Sequence, residues 1–237
     1  MRGMNLLQSE LDRLYGLDAS AAQGAAQGVR ALVLELRQPA DSTQLSSVWT
    51  GVQSDLDLPA PAIAVSGVDG LQLWFSLASP TSPGAGELFL QGLLARYLPD
   101  VGATHVRLFA DAAQRPAAPP FETGPNRWSA FVAPDLAAVF ADTPWLDLPP
   151  NGEGQATLLR ALKPIRQVAF EAALSQLSVM GERPADLKPS GSPETRSFES
   201  GHADAERFLQ GVMNDESVPL ALRIEAAKSL LAHARRS

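Results

Sequence analysis

Residues 62–77, AIAVSGVDGLQLWFSL, constrain the fold more than any other stretch of this chain. A short apolar run and a longer alternating run flank GVDG, and a glycine-containing turn between two such runs is typical of a β-hairpin. Successive side chains of a strand point to opposite faces of a sheet. The second run is therefore predicted to have one aliphatic row and one polar and aromatic row: Leu71, Leu73, Phe75 and Leu77 against Gln72, Trp74 and Ser76.

The segments around this hairpin predict an α+β fold. Residues 44–56 and 85–98 have apolar side chains at helical spacing, and residues 31–36 and 104–109 are typical of strands. The predicted order is strand 31–36, helix 44–56, hairpin strands 62–66 and 71–77, helix 85–98 and strand 104–109. This β-α-β-β-α-β order is typical of ferredoxin-like and RNA-recognition-type (RRM-like) cores.

Further elements are expected after this core. Residues 127–132 are predicted to form another strand, and residues 155–180 form additional helices, broken near Pro164. Residues 181–203 are rich in proline and polar side chains, which is typical of a flexible linker. The predicted organisation is an α+β domain over residues 1–180, a linker over 181–203 and a tail of short helices over 204–237.

Sorting every predicted strand into two rows brings chemistry-bearing residues to one face of the sheet. The aliphatic rows are expected to pack on the two helices. The opposite rows place the following residues together: Glu35, Arg37, Gln72, Trp74, Ser76, His105 and Arg107. Two interpretations remain open at this point. The face binds a ligand, or it is a structural face, either solvated or covered by residues 134–180.

Composition limits the classes of function. The formal net charge of −7 and the absence of any basic run disfavour tight non-specific binding to nucleic acid. The lack of cysteine excludes disulfides, thiolate catalysis and cysteine-ligated zinc. No apolar run approaches the roughly 20 residues that a membrane helix needs, and the N-terminal residues do not have the pattern of a secretory signal. We expect a cytoplasmic protein with no membrane partner.

The order of elements and the stretch SGVDGLQLWFSL resemble the archaeo-eukaryotic primase superfamily, in particular primase-polymerases of mobile elements and the polymerase domains of end-joining ligases. The resemblance covers roughly residues 30–150. It implies an RRM-like core whose open sheet face carries the active site. Ser66, Gly67 and Gly70 match a Ser-Gly-x-x-Gly-x-His pattern that contacts nucleotide phosphates in that family.

The chain departs from the family pattern at the metal and phosphate positions. Glu35 matches the first acidic ligand, but Arg37 stands at the second, and Asp111 is the nearest candidate for the third. Gln72 stands where the family has histidine. Two-metal phosphoryl transfer needs carboxylates to hold Mg²⁺ or Mn²⁺, and a guanidinium repels such ions. The expected protein is a degenerate member without metal, in which Arg37, His105 and Arg107 hold an anion or Glu35 neutralises a neighbouring arginine.

Three functions follow from these patterns. The first is a catalytically degenerate primase-like module that binds a nucleotide or single-stranded nucleic acid, or regulates a partner. The second is an active nucleotidyltransferase that uses Glu35, Asp111 and Mg²⁺ or Mn²⁺. The third is an adaptor that contacts a protein partner through residues 204–237, whose helical pattern is similar to segments of phage-derived proteins.

Overall fold

The computed structural model describes residues 2–17, 28–38 and 42–181. The predicted tail and all of the predicted linker beyond residue 181 lie outside the described residues. The helices are α1 (Arg2–Tyr15), α2 (Ser42–Ser54), α3 (Pro83–Tyr97), α4 (Gly152–Arg160) and α5 (Gln167–Gly181), with short 3-10 helices at Ala103–His105 and Pro134–Phe140. The strands are β1 (Val29–Arg37), β2 (Ala62–Val65), β3 (Gly70–Thr81), β4 (Val106–Phe109), β5 (Phe121–Gly124) and β6 (Arg127–Val132).

The described chain is a mixed α+β domain built on one six-stranded sheet. The strand order is β4-β1-β3-β2-β6-β5, and every neighbouring pair is antiparallel. β1 lies between β3 and β4, with Glu35 opposite Gln72 on one side and Arg107 on the other. The predicted hairpin is present, because β2 and β3 pair from Val65 with Leu71 outward.

One face of the sheet, the aliphatic face, carries the larger core. Leu32, Leu34 and Leu36 of β1 are buried there against side chains of α2, α3 and α5. Phe89 of α3 packs between Phe75 of the sheet and Phe170 of α5. The ring centroids are 5.5 Å apart in the first pair, which is edge-to-face, and 5.2 Å apart in the second, which is tilted. This packing agrees with the prediction that the aliphatic rows lie under the two helices between the strands.

The other face, the polar-aromatic face, is also covered over part of its area. Leu7, Leu11, Leu14 and Tyr15 of α1 pack with residues of α4 over Trp74. Phe131 of β6 closes the same cluster. Burial of this face therefore depends on a helix that precedes the first strand. The sequence predicts that any cover comes from residues 134–180; α4 lies in that range, whereas α1 does not.

Local signals explain where several elements begin and end. Ser82 caps α3 by accepting a hydrogen bond from the Ala85 N–H, with Pro83 in the first turn, where its missing N–H costs nothing. Asn151 caps α4 in the same way. The helical stretch predicted over 155–180 is two helices, and Pro164 lies in the break between them, as expected. No helix within the described ranges is long and apolar enough to cross a bilayer.

The Tyr15 hydroxyl is buried and has no hydrogen-bond partner within the described part of the chain. Burial raises its pKa far above the usual 10.0, and burial also raises the pKa of Tyr97 to about 12. Because the folded-state pKa is raised, the contribution of these tyrosines to stability is fully present below about pH 10 and falls as pH rises further, since only the unfolded chain then ionises. These are the only two tyrosines of the sequence.

We expect alkaline unfolding to begin above about pH 10. In the folded protein, phenolate absorbance should not appear at the pH at which an exposed tyrosine ionises. Tyr15→Phe should leave stability at neutral pH unchanged or slightly higher, because the hydroxyl makes no bond that is lost. It should also shift the alkaline transition upward. A phenolate signal near pH 10 in the folded Tyr97→Phe variant would contradict the burial of Tyr15.

Candidate functional site on the polar-aromatic face

A chain of hydrogen bonds links four of the residues that the sequence places on this face. The Trp74 indole N–H donates to Gln72 Oε1 at 2.8 Å, and the Gln72 amide donates to Glu35 Oε2 at 2.6 Å. The Arg107 guanidinium lies 3.4 Å from the other Glu35 oxygen. Both carboxylate oxygens therefore have a partner within the protein. We call Arg107, Glu35, Gln72 and Trp74 the polar chain.

The polar chain runs from solvent into the core. Arg107 has a side chain that is 50% exposed, whereas the Glu35 side chain is 5% exposed and Trp74 is fully buried. Gln72 is buried between them. A buried polar group without a partner costs about 1–3 kcal/mol, so these bonds are needed to make burial tolerable. Ser76, also predicted for this face, is buried farther along β3.

The Ser66-Gly67-x-x-Gly70 stretch forms the tight turn of the β2–β3 hairpin. Ser66 Oγ accepts hydrogen bonds from the backbone N–H groups of Val68, Asp69 and Gly70, at 3.1, 3.1 and 2.9 Å. These three N–H groups are thus engaged inside the turn. In this arrangement the serine stabilises the turn.

Both glycines of the motif have a steric reason. Gly67 has φ of +81°, and an added Cβ would lie 2.8 Å from the Ser129 backbone nitrogen. At Gly70 an added Cβ would lie 2.7 Å from the Leu36 carbonyl oxygen. A side chain is strained at the first position and collides with backbone at both. The motif is therefore explained by close packing of the hairpin on β1 and β6.

Gly67→Ala is expected to lower the free energy of unfolding by about 2–4 kcal/mol, from the positive φ and the backbone collision together. The matched control is Gly84→Ala, since nothing lies within 4 Å of a Cβ there. Helix propensity makes that control neutral or slightly stabilising. Denaturant unfolding measures both variants. Equal stability of the two would show that the turn relaxes freely.

Arg37 is held by the turn. Its guanidinium contacts Asp69 Oδ2 at 2.6 and 2.8 Å, and its side chain is 35% exposed. His105 is exposed, and its Nδ1 lies 3.3 Å from the Gln38 carbonyl oxygen. Continuing the β1–β4 register by one step places His105 opposite Arg37. The three cationic candidates therefore gather at one corner of the sheet, around β4 and the end of β1.

Asp111 lies apart from this corner. It follows the end of β4 at Phe109, which pairs with Val33, whereas Glu35 pairs with Arg107 nearer the start of β4. Its carboxylate accepts the Ala113 N–H at 2.9 Å, which closes a turn. Glu35 and Asp111 thus hold different partners at different ends of β4.

The residues present do not fit a two-metal centre. Both oxygens of Glu35 are engaged, and Arg37, with its own Asp69 partner, stands where the primase resemblance predicts the second acidic ligand. In the described ranges no three His, Asp or Glu side chains are grouped so that they surround a metal ion. We therefore derive no reaction step through Mg²⁺ or Mn²⁺.

A small apolar cavity of about 60 Å³ lies at the other end of this face, between β2, β6 and α4. Its lining includes Trp49, Ile63, Phe131, Val132 and Leu159. Ligand pockets for drug-sized molecules measure about 300–1,000 Å³. The cavity is thus too small for a nucleotide.

Sequence reasoning missed several residues that define this face. Asp69, which binds Arg37, is not among the candidate residues predicted from the sequence. Tyr15 and Phe131 surround Trp74, with ring centroids 5.4 and 6.0 Å from it. The apolar spacing of Leu7, Leu11 and Leu14 was the available signal for a covering helix. No sequence pattern indicates the contacts of Tyr15 or Phe131 with Trp74.

Comparison with known proteins gives no family for this chain. No family model matches the sequence, and neither the curated proteins nor the solved structures provide a significant match.

Proposed function

We propose that this domain is a non-catalytic binding module that receives a phosphate group of a nucleotide or of a short single-stranded nucleic acid at Arg107. The observation that carries the proposal is the asymmetry of the Arg107–Glu35 pair. Glu35 is buried and held by a short bond from Gln72, whereas Arg107 is half exposed and its own contact is long, at 3.4 Å. Because Arg107 is half exposed and makes only this one long contact with a described residue, its remaining N–H groups face solvent and can donate to a phosphate while the contact with Glu35 is kept.

The corner around Arg107 suits an anion. His105 is exposed beside it, and Arg37 lies within the same corner, although Asp69 neutralises most of the charge of Arg37. Guanidinium and imidazolium groups donate charge-assisted hydrogen bonds to phosphate oxygens. Arg107 is thus the arginine of this corner with only a long contact to its partner, which favours a single phosphate and modest, salt-sensitive affinity.

The primase-like assignment is part of this proposal. The strand order β4-β1-β3-β2, with α2 and α3 on the aliphatic face, supports an RRM-like core to which β6 and β5 are added. Such a scaffold without a fitting carboxylate set favours binding over nucleotidyl transfer. In the closed arrangement described above, Glu35 and Gln72 support Arg107 and Trp74.

Isothermal titration with ATP, tripolyphosphate and a short oligothymidylate tests the proposal. Arg107→Ala should weaken binding about tenfold, in line with the loss of one charge-assisted contact. Arg160→Ala is the matched control, because Arg160 is also about half exposed, at 59%, and has a similarly long ion pair of 3.5 Å to Glu10. No binding by the unmodified protein, or equal losses in both variants, would overturn the proposal.

Primer extension with Mg²⁺ or Mn²⁺ distinguishes binding from catalysis. The expected result is no extension. Extension that disappears in Glu35→Gln would replace the binding proposal with the nucleotidyltransferase that uses Glu35 and Asp111.

A further inference from the structure

The connection from β4 to β5 crosses the whole sheet. β4 and β5 are the two outermost strands, so residues 110–120 must pass over one face or around one end of the sheet. Ala118 packs against the cluster of Trp74 and Phe131, and Pro119 is buried. The segment therefore crosses the polar-aromatic face. We call residues 110–120 the strap.

The end points of the strap fix its path. The strap leaves β4 after Phe109, which pairs with Val33, and Val33 in turn pairs with Trp74. It enters β5 at Phe121, which pairs with Ser129. Ser129 lies beside Gly67 at the level of the hairpin turn. A straight path across this face from the end of β4 to the start of β5 passes over Glu35 and Gln72. Both are almost fully buried, with exposures of 4% and 3%.

Few interactions hold the strap to the sheet. Its hydrogen bonds lie near its start, where Asp111 accepts the N–H groups of Ala113, Gln114 and Arg115. Three of residues 116–120 are prolines, which have no N–H to donate. Within the described ranges no hydrogen bond joins residues 116–120 to the sheet. Segments with few hydrogen bonds to their surroundings open at lower free-energy cost than segments held in a regular ladder.

The strap also carries a charge without a partner. Arg115 is half-buried, and its guanidinium has no hydrogen bond or ion pair with any described residue. Burial lowers the pKa of this guanidinium. The closed position thus leaves a cation partly dehydrated, which reduces the free-energy difference between closed and open strap.

We propose that the strap opens independently of the rest of the domain and controls access to Gln72 and Glu35. The inference rests on the proposed function for its ligand. While the phosphate of the nucleotide binds Arg107, its base reaches the buried Gln72 amide and Glu35 carboxylate only when the strap is displaced. The apparent dissociation constant is then the intrinsic one divided by the open fraction.

Thiol labelling tests strap opening without any ligand, because the chain has no cysteine of its own. The probe is Gln72→Cys, beneath the strap. The control is Ala173→Cys in α5, which is fully buried in the core on the aliphatic face, on the other side of the sheet from the strap. At low denaturant concentration, the Gln72→Cys thiol should be labelled at least about tenfold faster than global unfolding would allow. The labelling rate should depend little on denaturant concentration, because strap opening exposes little surface. The Ala173→Cys thiol should label only through unfolding.

Two neighbouring strap substitutions sharpen the test. Ala118→Glu places a carboxylate against the apolar cluster, whereas Ala117 is exposed, so Ala117→Glu is the matched control. In the Gln72→Cys protein, Ala118→Glu should accelerate labelling about tenfold and Ala117→Glu less than about twofold. The proposal would be overturned if the thiols at positions 72 and 173 both labelled only at the rate that each variant's own unfolding free energy allows.

Adding ATP separates the two proposals. Slower labelling of the Gln72→Cys protein and tighter ATP binding by the variant that carries Ala118→Glu alone would support both the strap and the ligand. Fast labelling at position 72 that ATP does not change, together with no ATP binding by Ala118→Glu, would keep the strap and overturn its nucleotide ligand.

Discussion

Replacing Trp74 with alanine is expected to lower the free energy of unfolding by about 3–5 kcal/mol. Trp74 is fully buried between Tyr15 and Phe131, and its indole N–H donates to Gln72. The substitution therefore removes packing on both sides and leaves a buried amide oxygen without its donor. Chemical denaturation followed by circular dichroism measures the loss.

Trp145→Ala is the control for this prediction. Trp145 is half-buried and its ring contacts the Arg127 guanidinium, 4.3 Å from the centroid. A surface cation–π contact of this kind contributes about 0.5–1 kcal/mol. A loss of less than about 1 kcal/mol for Trp74→Ala would mean that α1 and α4 do not seal this face. Trp74 would then be a candidate for ligand contact, as the sequence suggested.

Gln72→Leu is expected to cost about 2–5 kcal/mol, although leucine is similar in size and more apolar. The substitution removes the partner of the Trp74 N–H and the short bond to the buried Glu35 carboxylate. Each buried group left without a partner costs about 1–3 kcal/mol, and more when it is charged. Gln53→Leu, which removes only a bond to the Trp49 carbonyl one turn earlier, is the control and should cost little.

A double-mutant cycle that combines Gln72→Leu with Glu35→Leu measures the coupling energy between these two residues. We expect the double variant to lose about 1–3 kcal/mol less than the two single losses added together, because neither partner is then left buried alone. Additive losses would show that Glu35 and Gln72 do not depend on each other. In that case the 2.6 Å contact would have little energetic weight.

Local patterning predicted much of the framework. Alternation in residues 71–77 specified which side chains of β3 share a face, because the period of a strand is two and does not depend on distant contacts. The apolar spacing of residues 44–56 and 85–98 predicted α2 and α3 for the same reason. The turn at Gly67–Gly70 followed from glycine chemistry. The predictions for the linker and the tail remain predictions.

The arrangement of the polar-aromatic face required long-range information. The sequence placed Glu35, Gln72, Trp74 and Arg107 on one face, and the structure does so through the β1–β3 and β1–β4 registers. Whether that face was open depended on α1 and on residues 110–120, which are distant from it along the chain. The roles that the primase resemblance implies for Ser66, Gly67 and Gly70 remain proposals beside their observed packing.

The sequence by itself determined β1, β2, β3, β4 and β6, the hairpin and the sorting of side chains into two rows, since these follow from local backbone geometry, whereas β5 was not predicted. Only the tertiary structure decided that Trp74 lies in a sealed aromatic cluster and that Glu35 is occupied by Gln72 and Arg107. The physical reason is that covering a sheet face depends on the total apolar area that distant segments bury together. No local pattern within β1 or β3 contains that information.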